Sequence, residues 1–135
     1  MNNADGKNGY GKTLPVHPAH VAAVAKNQKY MGRMNDPDAA AVMKGLCGDE
    51  MEFYLIIEHR KIKEVKFYTE GCVPTIACAS TVAHMALGKT IVKALDIAPK
   101  DVLKKLPDLP PEHYHCSILA VSTFYKALAD YLLKP

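Results

Sequence analysis

No stretch of this 135-residue chain approaches the roughly 20 consecutive apolar residues that a membrane-spanning helix needs. It also lacks a basic run. Lys plus Arg number 17 and Asp plus Glu 14, and the +3 excess is spread along the chain, so nothing resembles the concentrated positive face of a nucleic-acid binder. The one local cluster, His59, Arg60, Lys61 and Lys63, reads as a charged hairpin turn. Cysteine is scarce, at 4 residues, and no two stand in Cys-x-x-Cys spacing, which removes zinc ribbons and fingers by pattern. A His-Glu-x-x-His helix is missing, and so is a His-x-Glu paired with Pro-Cys-x-x-Cys. That sets aside a metal hydrolase or deaminase, and with it an enzyme acting on an organic substrate. The opening residues, Met1 to Lys12, show neither an apolar signal core nor an Arg-rich amphipathic pattern. The expectation is a cytoplasmic protein with no membrane or nucleic-acid partner. In a reducing compartment its cysteines point to metal or sulfur chemistry rather than to structural disulfides.

What is present fits one domain. The apolar fraction is 49% and the charged fraction 23%, ordinary for a globular chain. Residues 1–14 are too polar to offset the entropy of ordering and read as a disordered tail, leaving 15–135 as the folded domain. Val21, Val24 and Ala25 suggest a short helix between His17 and Met31, with Pro18 near its first turn. Asn35-Asp36-Pro37-Asp38 is a turn signal, and Ala39 to Lys44 reads as a short edge strand. Met51, Phe53, Leu55 and Ile57 alternate with Glu52, Tyr54 and Ile56, the period of a half-buried strand. After a turn at His59-Arg60-Lys61, Val65, Phe67 and Thr69 alternate with Lys66, Tyr68 and Glu70, completing an antiparallel hairpin. The period then lengthens. Thr75 to Leu87 reads as a helix whose Ala77, Ala79 and Ala83 allow close packing, ended by Gly88. Thr90 to Ala94 and Pro99 to Leu106 suggest two shorter helical pieces. Cys116 to Leu133 makes a long C-terminal helix, with Ile118, Val121, Tyr125, Leu128 and Leu132 as its buried stripe. Strands first and helices after give an α+β fold, a small antiparallel sheet with helices on one face.

The positions of the cysteines are informative. Cys47 lies in Gly45-Leu46-Cys47-Gly48-Asp49, just before the first clear strand. Cys72 lies in Glu70-Gly71-Cys72-Val73-Pro74, just after the second. Cys116 follows His115 at the start of the last helix. Three thiols at element ends, beside Gly, Pro or His, are expected to converge at one end of the sheet as soft ligands for an iron–sulfur cluster or zinc. A helix N-terminus would lower the pKa of Cys116. Cys78, inside the alanine-rich helix, reads as packing or as a spare sulfur acceptor. Asp49 and His115 are candidates to complete the site. The fourth ligand stays open among Asp49, His115 and His113. His17, His20, His59 and His84 read as surface or packing residues.

At these residues the chain resembles the NifU/IscU-type iron–sulfur cluster scaffold family, over about residues 15–133. The resemblance rests on Cys47-Gly48-Asp49, Gly71-Cys72 with Ala77 and Ser80 beyond, Gly88-Lys89, Leu109-Pro110-Pro111, His115-Cys116-Ser117-Ile118-Leu119-Ala120, and Asp130-Tyr131. It implies a three-stranded antiparallel sheet packed by helices. It also implies a site where Cys47, Asp49, Cys72, His115 and Cys116 hold a [2Fe–2S] cluster, with iron as the incoming metal and zinc a candidate in purified protein. The implied chemistry is assembly. A cysteine desulfurase passes sulfur to a scaffold cysteine, by similarity Cys116, and the finished cluster leaves for an apoprotein acceptor. A homo-oligomer bridged by clusters stays open. Three departures stand out. Val73-Pro74-Thr75-Ile76-Ala77-Cys78-Ala79-Ser80 replaces a Gly- and Ser-rich helix start and adds a thiol. The chaperone-recognition stretch reads Leu109-Pro110-Pro111-Glu112-His113, which weakens the case for an Hsp70-type chaperone as partner. Asn27-Gln28-Lys29 stands where asparagine-proline-arginine is expected, altering the desulfurase-docking surface. The alternative is a zinc-dependent sulfur-transfer protein of the SufU kind, against which His115 and the absence of an insertion between the middle helices both speak.

Overall fold

A computed structural model describes residues 18–134. The expected tail over residues 1–14 and His17 lie outside the described residues. The elements run α1 (Ala19–Lys26), β1 (Ala39–Lys44), β2 (Glu50–Glu58), β3 (Lys61–Thr69), α2 (Val73–Ala86), α3 (Ile91–Ala94), α4 (Pro99–Lys105), a 3₁₀ turn (Pro111–His113) and α5 (Tyr114–Leu132). The sheet is antiparallel in the order β1-β2-β3, so Ala39–Lys44 is an edge strand. No helix among the described residues is long and apolar enough to cross a membrane.

The alternation in β2 sets the core face. Met51, Phe53, Leu55 and Ile57 point inward and are buried. α5 covers β1 and β2, and α2 covers β3 and packs against α5. Phe53 sits between Phe67 and Phe124, with ring centroids 6.1 and 5.8 Å away. All three rings are fully buried, and each contributes about 1.5–3 kcal/mol by leaving water.

Three local expectations differ from the structure. The short helix expected between His17 and Met31 is present and narrowed to Ala19–Lys26, with Pro18 as its N-cap. Tyr30 and Gly32 instead pair their backbones with Phe67: Phe67 N donates to Tyr30 O (2.9 Å) and Gly32 N to Phe67 O (2.8 Å). Edge pairing with the sheet outcompetes helix continuation there. The second hairpin strand begins at Lys61, because the turn needs only His59 and Arg60, both left-handed (φ 54° and 64°). A register shift at Ile56/Ile57 breaks the alternation between Ile62 and Val65, both buried, which hides the strand's first half from a period-two reading.

The third difference is the face of α5. Ile118 and Leu132 are 54% and 51% exposed. The buried row is Cys116, Leu119, Ala120, Val121, Phe124, Ala127 and Leu128, so Val121 and Leu128 alone of the expected stripe are fully inside. The helix carries apolar residues on more than one face. Small Ala side chains let one face approach the sheet closely, an advantage that counting large apolar residues misses.

Candidate metal centre

At the end of the sheet where β1 meets β2, the chain must turn without covering its side chains. Gly45 N donates to Asp49 O (2.8 Å) and Gly48 N to Gly45 O (3.0 Å), closing a tight loop. Gly48 takes φ +90°, a region that side chains with a Cβ rarely enter. The closure leaves Leu46 and Cys47 exposed at the tip. It sends the Asp49 carboxylate back across the end of β3.

β3 leaves the sheet through a hydroxyl clasp. Thr69 Oγ1 donates to Glu50 O (2.6 Å) and accepts from Gly71 N (3.1 Å). Gly71 is needed for space: a Cβ there would stand 2.6 Å from Asp49 Oδ2 and 2.8 Å from its Cγ. Cys72 is the N-cap of α2, extended at φ −73° and ψ 173°, and its side chain caps no backbone N–H. Pro74 occupies the first turn, where a missing N–H does no harm. The sulfur of Cys72 is thereby free and exposed.

The third arm is the start of α5. The proline-rich entry ends in the 3₁₀ turn, with His113 N donating to Pro110 O (2.9 Å), and His113 then caps α5. Cys116 is the third residue of the helix and only 1% exposed.

These arms bring their donors together. Thr75 Oγ1 donates to Asp49 Oδ2 (2.9 Å) and contacts Cys72 Sγ (3.3 Å) and Cys116 Sγ (3.5 Å). Cys72 Sγ also lies 3.9 Å from Asp49 Oδ2, and Cys116 Sγ 3.8 Å from His115 Nε2. The ligand atoms of Cys72, His113 and Cys116 lie within 4.8 Å of one another. Sulfurs around a tetrahedral zinc, with bonds of about 2.3 Å, stand roughly 3.8 Å apart. The set therefore closes on an ion with movements of about 1 Å. On the outer flank of Asp49 is a hollow of about 370 Å³, whose lining includes Arg33, Glu52, Tyr68 and Glu70.

Burial pushes the Cys116 thiol up to about 11; the Thr75 hydrogen bond opposes this, and the nearby Cys72, Cys47 and Asp49 charges add to it. Burial thus sets a direction opposite to the lowering expected of a helix N-terminus. Burial likewise raises Cys78, which is fully buried on α2, and the nearby Cys116 and Cys72 thiols add to it.

Of the residues expected at the site, Cys72 and Cys116 meet, Asp49 joins them through Thr75, and His115 reaches Cys116. Cys116 is buried, whereas Cys72 is exposed. Cys47 stands outside the close donor group, at the exposed tip of its loop. His113, the last of the three options for the fourth ligand, is the histidine inside that group. Thr75 was not foreseen. Its signal is positional: three residues after a helix N-cap, a side chain faces back over the cap.

The fold and this end of it define a small α+β domain with thiol, imidazole and carboxylate donors gathered where two helices start. Known proteins share the fold. The chain belongs to the NifU-like N-terminal domain family, which it matches over residues 17–135. It is similar to the iron–sulfur cluster assembly scaffold protein IscU 1 of Archaeoglobus fulgidus, at 36% identity over 110 residues, covering 81% of this chain and 72% of that one. It is also similar to the iron–sulfur cluster assembly enzyme IscU of Drosophila melanogaster, at 35% over 131 residues, 91% of this chain and 84% of that one. Its fold matches the crystal structure of a candidate scaffold protein for the SUF system, FiSufU, of Fervidobacterium islandicum AW-1. The TM-score is 0.71 at 22% identity, covering 83% of this chain and 96% of that one.

Proposed function

We propose that this chain is a scaffold on which a [2Fe–2S] cluster is assembled from iron and desulfurase-derived sulfur and then passed to apoproteins. The observation that carries it is the convergence of Cys72, Cys116 and a histidine within 4.8 Å, with Asp49 alongside, in a chain whose relatives are named as such scaffolds. The ligands we assign are Cys47, Asp49, Cys72 and Cys116, with His115 or His113 beside them. Thiolates suit iron–sulfur clusters and zinc alike, so zinc fits the same donors in purified protein. Asp49 supplies a harder oxygen donor that is easier to displace, which suits a cargo meant to leave. Cys116 is our candidate to receive sulfur from the cysteine desulfurase. Its burial requires the first turn of α5 to open for that step. The role is one of holding and release rather than turnover.

The test is anaerobic reconstitution with iron, cysteine and a desulfurase, read by absorption. Wild type is expected to develop cluster charge-transfer bands. Cys47→Ser, Cys72→Ser and Cys116→Ser are expected to lose them, while Cys78→Ser keeps them. A wild-type protein that takes up sulfur on a cysteine yet holds only zinc, with no cluster bands, overturns this reading in favour of zinc-dependent sulfur transfer.

A further inference from the structure

We propose that Thr75 is the positioning residue of this site: its hydroxyl draws the donor atoms of Asp49, Cys72 and Cys116, carried by three separate elements, into one cluster before a metal arrives. The inference rests on the reading of this end of the molecule as a metal centre.

The case starts from how the buried hydroxyls are satisfied. A buried hydroxyl without a partner is costly, so each must find one. Thr81 and Thr123 turn back onto their own helices, to Ala77 O (2.8 Å) and Leu119 O (2.7 Å). Ser117 does the same with Tyr114 O (2.6 Å). Thr75 is fully buried, yet its hydroxyl has no backbone partner among the described residues. All three of its partners are donors of the site. A hydroxyl has one proton and two lone pairs. With both thiols protonated, Thr75 gives its proton to Asp49 Oδ2 and its two lone pairs take the two S–H groups; a free Cys116 thiolate would draw that proton instead. The capacity of the group is filled by one loop and two helix starts.

The rest of the side chain fixes that direction. The methyl Cγ2 lies 3.0 Å from where a Cβ on Gly71 would stand, beside the space that glycine leaves open. A β-branched residue has few χ1 choices, so a seated methyl leaves the hydroxyl one place to point. A metal that takes the two sulfurs displaces their S–H contacts but leaves the O–H···Oδ2 bond intact, and the Asp49 carboxylate stays oriented. Outer partners of this kind typically govern metal affinity by roughly 10–100-fold.

The test uses cobalt(II) on the full, metal-free chain, read by thiolate-to-cobalt absorption and by competition with a chelator. Thr75→Val keeps the shape and removes the hydroxyl; Thr75→Ser keeps the hydroxyl. Valine is expected to weaken cobalt binding roughly 10–100-fold and to change the band pattern, with serine staying within a few-fold of wild type. In an Asp49→Ala background the valine effect is expected to shrink. Thr75→Ala, which needs no extra room, repeats the measurement should valine not fit. Thermal melts and amide shifts of Asp49, Cys72 and Cys116 in metal-free protein accompany each variant. Valine and alanine proteins that bind cobalt as wild type does overturn this proposal and leave the scaffold reading standing. So does a folded serine protein as weak as valine. A wild type that takes no cobalt on its thiols overturns both.

Discussion

The two ends of the sheet close in different currencies. At the hairpin end, β2 turns into β3 over two residues, and the turn is bound to the α2–α3 connection by backbone alone. Ile62 N donates to Lys89 O (2.8 Å), Gly88 N to Ile62 O (2.8 Å) and Ile91 N to Arg60 O (3.0 Å). At the other end, beyond the strand ladder itself, backbone bonds close the Gly45–Asp49 loop. The elements are joined to each other by side chains: Thr69 to Glu50, Thr75 to Asp49, and Thr75 to two sulfurs. Backbone pairing is indifferent to residue type and gives stability. Side-chain joining depends on residue type at each position and can be rearranged by a bound cargo. The contrast teaches that the same sheet can be fastened at one end and left chemically addressable at the other.

That contrast can be broken or sharpened by experiment. The largest effect is expected from Gly71→Ala, whose Cβ would fall 2.6 Å from Asp49 Oδ2. Overpacking of this kind costs about 1–3 kcal/mol. We expect a folded protein by circular dichroism whose cobalt binding is weakened because the Thr75 methyl, 3.0 Å from the new Cβ, must move and take its hydroxyl with it; normal binding would show that the crowding is relieved elsewhere.

Next is alkaline pH. Cys116 in the folded protein is raised to about 11, against an unfolded thiol near 8.5. Above about pH 8.5 the unfolded chain loses its proton while the fold keeps it. Metal-free protein is therefore expected to lose stability as pH rises from there towards 11, with Cys78 acting in the same direction. A flat urea midpoint across that range would contradict the burial of both thiols.

A smaller effect is expected of Asp49→Ala, which should hold a cluster severalfold longer in a chelator-transfer assay. Faster loss would remove Asp49 from the release step. The smallest belongs to the hairpin. His59→Asn with Arg60→Gly suits the left-handed turn, and is expected to raise stability by about 1 kcal/mol in urea denaturation while leaving cobalt binding unchanged. A change in binding would mean that the two ends are coupled.

Much of this was legible from residues alone. The inward face of β2, the edge strand at Ala39–Lys44, the small-residue packing of α2 and the meeting of Cys72 with Cys116 all follow from period, turn chemistry and placement at element ends. The failures have physical reasons. The pairing of Tyr30 and Gly32 with Phe67, 35 residues and more away in sequence, is a tertiary contact that local pattern does not contain. Which row of α5 faces inward depends on how closely Ala120 and Ala127 can approach the sheet, and Ile118 yielded to them despite its size. Thr75 was invisible because a lone threonine in a helix start has many ordinary uses; only the positions of its three partners single it out.

One consequence follows from Cys72 being exposed while Cys116, on the far side of the same hydroxyl, is sunk to 1%. Under the proposed function, cargo held between them would have a front and a back. An acceptor approaching through solvent meets the Cys47 and Cys72 side first, so detachment should proceed from the wet sulfur to the dry one, like a boat leaving its outer mooring before the inner. Thiol footprinting during transfer would show it, with Cys72 labelled ahead of Cys116; the reverse order would mean that the cargo departs through α5.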